Sequence, residues 1–192
     1  TKLLIGQSNK FEDLSPSALT LTPSATTKIQ SATPFTTQYV ANTAYNSLNI
    51  TGSAYTSSTL SGGLGAGDFT IEGWVYFNSV GSAQIVSGSS GSTGQTNWWL
   101  GIKSTNEFDF VWVDNTPTVY RVSAGAAKAN QWYHFAVVRE GSSSNNMSLY
   151  INGVRENQAT NTSTFAGESG NGVVLGAQYD GSYTPTTALY MS

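Results

Sequence analysis

The sequence predicts an all-β protein in which two antiparallel sheets pack face to face as a sandwich. Three segments carry this prediction: residues 68–77 (DFTIEGWVYF), 132–139 (WYHFAVVR) and 147–154 (MSLYINGV). Bulky apolar residues recur in them at every second position, as they do in strands, whose successive side chains point to opposite faces. Turn-rich segments separate the apolar stretches, and we find no amphipathic helix pattern.

The first segment is apolar on both of its predicted faces. One face carries Phe69, Ile71, Val75 and Phe77, and the other carries Thr70, Glu72, Trp74 and Tyr76. A strand with aromatic residues on both faces belongs inside a sheet whose second face is covered or forms a groove.

The third segment contains a hairpin signal. Leu149 and Ile151 share one face, and the dipeptide Asn152-Gly153 follows them. Asn-Gly is the dipeptide that best tolerates the positive φ angles of a two-residue hairpin turn. We therefore expect the return strand to start at Val154.

The order of these three segments resembles the laminin-G-like branch of the concanavalin A-like lectin and glucanase superfamily, over residues 47–191. The resemblance implies a jelly-roll β-sandwich of two curved antiparallel sheets. Trp132 and His134 would open a central strand, and the hairpin at Asn152-Gly153 would follow it. The superfamily includes lectins, hydrolases, adhesion modules and virion proteins, so the resemblance implies the fold more narrowly than the function.

The other strands are predicted from short apolar segments between turn clusters. They cover residues 83–86, 98–102, 107–113, 118–122, 154–158 and 173–175. Residues 6–66 are rich in Ser, Thr, Ala and Gly and are interpreted as an arm with short edge strands. Residues 188–191 begin a strand that we expect to be incomplete, so a longer biological chain is predicted. A sandwich of this length usually forms one domain, here residues 1–192.

Composition excludes several classes of partner. Only 10% of the 192 residues are charged and the net charge is -3, which leaves no broad basic surface for nucleic acid. There is no cysteine, so neither a disulfide framework nor a thiolate metal site is available. No apolar run reaches the roughly 18 residues of a membrane span, so no membrane insertion is expected.

Tryptophans are the candidate carbohydrate-binding residues, because an aromatic face stacks on a sugar ring. We single out Trp98, Trp99, Trp112 and Trp74. Adjacent residues of a strand point to opposite faces, so only one of Trp98 and Trp99 can lie in the core. Packing in the core is the competing interpretation for each of the four, since large aromatic residues dominate sandwich cores.

Two carboxylates keep an enzyme interpretation open. Glu107 and Asp109 are two residues apart on one predicted strand face, and glycosidases use paired acids about 5 to 9 Å apart. A solvated strand face is the alternative, and the acid-x-acid-x-x-acid pattern of glucanases is absent. The one histidine, His134, is interpreted as structural, and no nucleophile elbow is present. We expect no catalytic residue.

Calcium is the one cofactor that the sequence leaves open. Relatives of this fold often hold the ion at the sandwich rim, and Asp114, Asn115 and Asp180 are the candidate ligands. Hard cations need six to eight oxygen ligands, which few carboxylates here can supply. Ordinary turn chemistry explains the same residues equally well.

Two classes of function therefore remain. The first is a non-enzymatic module that resembles laminin-G-like proteins of bacteriophage virions, such as tail-fibre, head-fibre or capsid-decoration proteins. It would lie on the virion surface, contact other virion subunits and cell-surface glycans, and form a homo-oligomer or part of a larger assembly. A secreted bacterial protein is the alternative location. The second class is a polysaccharide hydrolase or lyase that uses Glu107 and Asp109.

Overall fold

The computed structural model describes residues 3, 10–24, 26–30, 34, 47–58, 64–89, 96–113, 118–162, 172–179, 183–185 and 189–191. These ranges contain sixteen β-strands and no helix, and so no helix that would be long and apolar enough to cross a membrane. The strands are β1 (Leu21–Pro23), β2 (Lys28–Gln30), β3 (Ser47–Ile50), β4 (Thr56–Ser58), β5 (Phe69–Phe77), β6 (Ala83–Ser89), β7 (Thr96–Ile102), β8 (Glu107–Val113), β9 (Val119–Ala126), β10 (Trp132–Arg139), β11 (Met147–Ile151), β12 (Val154–Ala159), β13 (Val173–Leu175), β14 (Ala177–Tyr179), β15 (Tyr183–Pro185) and β16 (Leu189–Met191).

The strands form two seven-stranded sheets and a small hairpin. The first sheet has the order β1-β4-β13-β6-β7-β8-β9, and the second has the order β12-β11-β10-β5-β16-β3-β2. The hairpin consists of β14 and β15. Each strand pair within the sheets is antiparallel, which confirms the predicted all-β fold of two antiparallel sheets.

The core lies between the two sheets and is rich in aromatic side chains. Phe108 of the first sheet contacts two rings of the second: its centroid lies 6.1 Å from Phe77 and 5.3 Å from Tyr133. Buried residues of both sheets belong to one core cluster. The inward faces therefore pack on each other, whereas the division of the whole chain into domains stays a prediction.

Strand β5 has the two faces that its alternation predicts. Val75 and Phe77 are buried in the core, and Ile71 packs against it. The intervening residues, which include Trp74 and Tyr76, point away from the core on the outward face of the second sheet. β5 lies inside that sheet between β10 and β16, as expected for a strand that is apolar on both faces.

The predicted hairpin joins β11 to β12. Asn152 has φ 52° and Gly153 has φ 79°, and positive values at both central positions define a type I′ turn. Asn152 is also tied to the neighbouring strand, because its Oδ1 accepts the N–H of His134 at 2.9 Å and its own N–H donates to the His134 carbonyl at 2.8 Å.

The short strands of the amino-terminal third fall into two groups. β1 and β2 are edge strands, whereas β3 and β4 have neighbours on both sides. They are interior because β16 pairs with β3 and β13 pairs with β4, contacts that bring distant parts of the chain together. Residues 35–40, which belong to the predicted arm, lie outside the described residues.

Candidate functional site

Trp98 and Trp112 lie in the core. They are Cα partners on the inward face of β7 and β8, with exposed fractions of 2% and 1%. Gly88 stands opposite Trp98 in β6, and a side chain at that position would overlap the indole. Both rings are therefore covered by protein, which corrects the prediction that they face a carbohydrate: inward-pointing aromatic side chains are what fills this sandwich.

Trp99 lies on the opposite face of the same strand. It is partly exposed on the outward face of the first sheet, beside Val111 of β8. The expectation that only one of Trp98 and Trp99 belongs to the core is thus confirmed. As a carbohydrate-binding residue, Trp99 stays a prediction.

Trp74 belongs to a cluster of partly exposed rings on the outward face of the second sheet. Its centroid is 5.1 Å from that of His134, and the centroids of Tyr76 and Trp132 are 5.6 Å apart. In both pairs the ring planes are tilted, at 60° and 58°. We call Trp74, Tyr76, Trp132 and His134 the outer aromatic face.

The register of β5 and β10 explains why these four rings meet. His134 is the Cα partner of Trp74, and Trp132 is the Cα partner of Tyr76. Directly opposite residues share a face, and successive rows along a strand pair lie about 6.7 Å apart. Strands lie about 4.8 Å apart, so the outer aromatic face is a platform two strands wide and two rows long.

Sequence reasoning had placed Trp74 on the second face of its strand, but it missed Trp132 and Tyr76 as site residues. Trp132 was assigned only to the opening of a strand. Alternation would have put Trp132 and His134 on one face, and Trp74 and Tyr76 on another. The register that brings the two pairs together joins residues that are 60 and 56 positions apart in the sequence, which no local pattern reveals.

Glu107 and Asp109 share the outward face of β8, as predicted, but each is bound to a cation. Asp109 Oδ2 lies 3.3 Å from Arg121 Nη1, and its side chain is only 7% exposed. Its Oδ1 accepts a hydrogen bond of 2.7 Å from Ser123. Glu107 Oε2 lies 3.1 Å from Lys103 Nζ.

The surroundings of Glu107 oppose a role as general acid. The hydrogen bond from Thr105, together with the hydrogen bond and positive charge of Lys103, lowers the pKa of Glu107 below its usual range. A glycosidase acid needs a raised pKa, so that the carboxyl is still protonated when the leaving group departs. The pair Glu107 and Asp109 is therefore engaged in an ion-pair network instead of being poised for proton transfer.

His134 is more exposed than a structural core histidine would be. Its side chain is 25% exposed, and its Nε2 lies 3.8 Å from Glu72 Oε2. The residues 114–117 and 180–182 lie outside the described part of the chain, so Asp114, Asn115 and Asp180 stay predictions as calcium ligands. Within the described part, no group of three His, Cys, Asp or Glu side chains is close enough to hold a metal ion.

A laminin-G family model, described as the concanavalin A-like lectin/glucanases superfamily, matches residues 46–190. The chain belongs to this superfamily. The match runs from the start of β3 to the middle of β16, and it confirms the resemblance that the three strand segments predicted. No curated protein matches the chain.

Several solved structures share the superfamily fold. The binding domain of Paraclostridial Mosquitocidal Protein 1 has a TM-score of 0.67 and 14% identity, over 96% of this chain and 45% of that chain. A structure of botulinum neurotoxin type C has a TM-score of 0.63 and 14% identity, over 98% of this chain and 45% of that chain. Domain 4 of AbnA, a GH43 extracellular arabinanase from Geobacillus stearothermophilus, has a TM-score of 0.62 and 15% identity, over 95% of this chain and 86% of that chain. The present chain thus spans less than half of the toxin chains, and these identities show a common fold.

Proposed function

We propose that this protein is a non-catalytic glycan-binding module and that the outer aromatic face is its binding site. The observation that carries the proposal is the cluster of partly exposed rings of Trp74, Tyr76, Trp132 and His134 on adjacent strands. Strands in the middle of a sheet hold such rings in fixed positions, so little order has to be gained on binding. Aromatic rings with exposed faces, flanked by polar groups, suit the apolar faces and hydroxyl groups of sugars.

Similar structures support this class of ligand. Domain 4 of AbnA is described in complex with arabinotriose, and cell entry of botulinum neurotoxin type C is described as dependent on two ganglioside molecules. The ion pairs of Glu107 with Lys103 and of Asp109 with Arg121 favour binding over hydrolysis, because each carboxylate is already engaged by a cation.

The wider setting proposed is an exposed appendage of a virion, such as a fibre or a capsid-decoration protein, with other virion subunits as partners. A secreted bacterial protein is the alternative. The virion setting is supported by the polar, cysteine-free composition together with the resemblance to laminin-G-like phage proteins. Mass measurement in solution tests the assembly: a homo-oligomer supports it, and a monomer at all concentrations counts against it.

A glycan array followed by calorimetric titration tests the binding function. The variants are Trp74→Ala and Trp132→Ala, and Trp99→Ala on the other sheet is the matched control. Removal of an anchoring ring should weaken binding about ten-fold or more, as at other aromatic hot spots. The control should retain wild-type affinity.

Three results would contradict the proposal. Binding that survives both Trp74→Ala and Trp132→Ala would move the site elsewhere, and binding lost only in Trp99→Ala would place it on the first sheet. Absence of binding to every glycan would leave a purely architectural role. Circular dichroism of each variant establishes that a loss of binding is not a loss of fold.

A further inference from the structure

We infer that Glu72 makes the outer aromatic face selective for ligand charge: the site takes glycans that are neutral or carry an amine, and it discriminates against glycans with a carboxylate or sulfate. This inference rests on the proposed function and names the ligand class of the same site.

Glu72 continues the outer aromatic face by one row. It lies two residues before Trp74 in β5, and its Cα partner is Ala136 of β10. Residues two apart in a strand share a face and lie about 6.7 Å apart. The Glu72 side chain is 64% exposed. A sugar ring stacked on Trp74 would therefore bring its substituents within reach of an exposed carboxylate.

Cations of the neighbouring strands lie far from this carboxylate. Along the row of Glu72, the next positions are Ala136, Tyr150 and then Arg155 of β12, which is three strands away. At about 4.8 Å per strand, the two backbones are about 14 Å apart. Screening at physiological ionic strength acts over about 8 Å, so Arg155 does little to offset the charge of Glu72.

On the other flank of β5, the nearest cation placed by the strand pairing is equally distant. Lys28 of β2 is separated from Tyr76 by β16 and β3, again three strand spacings or about 14 Å. Within 4.0 Å of the Glu72 carboxylate, the only basic group on the described part of the chain is the imidazole of His134. The aromatic platform thus ends on a negative charge, and Arg155 and Lys28 each lie three strand spacings from β5.

The chemistry of a carboxylate sets the direction of selectivity. It accepts hydrogen bonds from sugar hydroxyl groups and stronger, charge-assisted ones from an ammonium group. A ligand carboxylate about 4 Å away in water would be repelled enough to weaken binding about five-fold. An ammonium group of the ligand above the Trp74 ring would add a cation–π attraction.

The test compares ligands that differ chiefly in the charge of one group: galacturonic acid oligosaccharides and their methyl esters at pH 8, and, at pH 6, where the amines are protonated, chitosan oligosaccharides and their N-acetylated forms. Both titrations are made at physiological ionic strength, at which charges 14 Å away are largely screened. The esters should bind at least about five-fold more tightly than the acids. Glu72→Gln keeps the shape of the side chain and should bring the ratio of the two affinities close to one. Glu107→Gln, on the other sheet, should leave the ratio unchanged.

Equal or tighter binding of the acids, or a ratio that Glu72→Gln does not alter, would overturn this inference while the proposed function stands. Absence of binding by any of these oligosaccharides and by the glycan array would overturn both. Salt provides an independent readout, because the preference for the esters should shrink as ionic strength rises.

Discussion

The two adjacent tryptophans of β7 should differ sharply in their contribution to stability. Trp98→Ala removes a ring that is 2% exposed and packs on Phe110 at a centroid distance of 6.2 Å. A buried tryptophan hides about 200 Å² of surface, or about 5 kcal/mol at 25 cal/mol per Å². Part of that area remains in alanine, while a cavity adds to the cost, so the free energy of unfolding should fall by about 3–5 kcal/mol.

Trp99→Ala is the matched comparison, since the residue type and strand are the same. Water can enter the space that the partly exposed Trp99 leaves, so no empty cavity forms and the cost should be about 1–2 kcal/mol. Urea unfolding followed by far-ultraviolet circular dichroism measures both. With a urea dependence of about 2 kcal/mol per molar, the midpoint should fall by about 1.5–2.5 M for Trp98→Ala and about 0.5–1 M for Trp99→Ala.

Equal shifts, or a larger shift for Trp99→Ala, would refute the assignment of Trp98 to the core. If Trp98→Ala does not fold, Trp98→Phe gives the same information on a smaller scale. It keeps an apolar ring but leaves part of the indole volume empty, so its midpoint should still fall by about 0.5–1.5 M.

Two further predictions concern the first sheet. Gly88→Ala places a Cβ inside the volume of Trp98 and should lower the free energy of unfolding in urea by about 1–3 kcal/mol. Gly125→Ala, whose Cβ would meet its nearest neighbour at 3.7 Å, should change it by less than about 1 kcal/mol. Equal effects of the two substitutions would contradict the packing of Trp98 on Gly88. Lys103→Met should raise the pKa of Glu107 towards its usual value in an NMR titration, although the Thr105 hydrogen bond remains. Because the pKa of folded Glu107 is lowered, its contribution to stability is present above the usual pKa and is lost as the pH falls through the folded value. This loss of stability should be smaller in Lys103→Met. An unchanged pKa of Glu107 in the variant would show that the lysine contact is absent in solution.

The fold could be predicted because its determinants are local. Alternation along residues 68–77 specifies a two-faced strand, and Asn152-Gly153 specifies its turn through the φ angles that these two residues tolerate. Strand β16 was recognised from residues 188–191, but its partners β3 and β5 depend on pairing between distant segments. The same limit explains why β3 and β4 were expected at edges.

The candidate site was harder to predict for the same physical reason. Alternation shows that Trp98 and Trp99 oppose each other, but it does not show which of them meets the other sheet. The pairing of Trp74 with His134 depends on the register between β5 and β10. Likewise, the side chain that neutralises Asp109 comes from Arg121 in the next strand, so the acid's spacing alone could not reveal its ion pair.

An NMR titration of the indole N–H signals tests the binding site most directly, because the five tryptophans of the chain lie in three different places: the outer aromatic face, the core and the outward face of the first sheet. Addition of an oligosaccharide that the array identifies should shift the signals of Trp74 and Trp132. The signals of the core residues Trp98 and Trp112, and that of Trp99 on the far sheet, should stay in place. Shifts confined to Trp99, or none at saturating ligand, would contradict binding at the outer aromatic face.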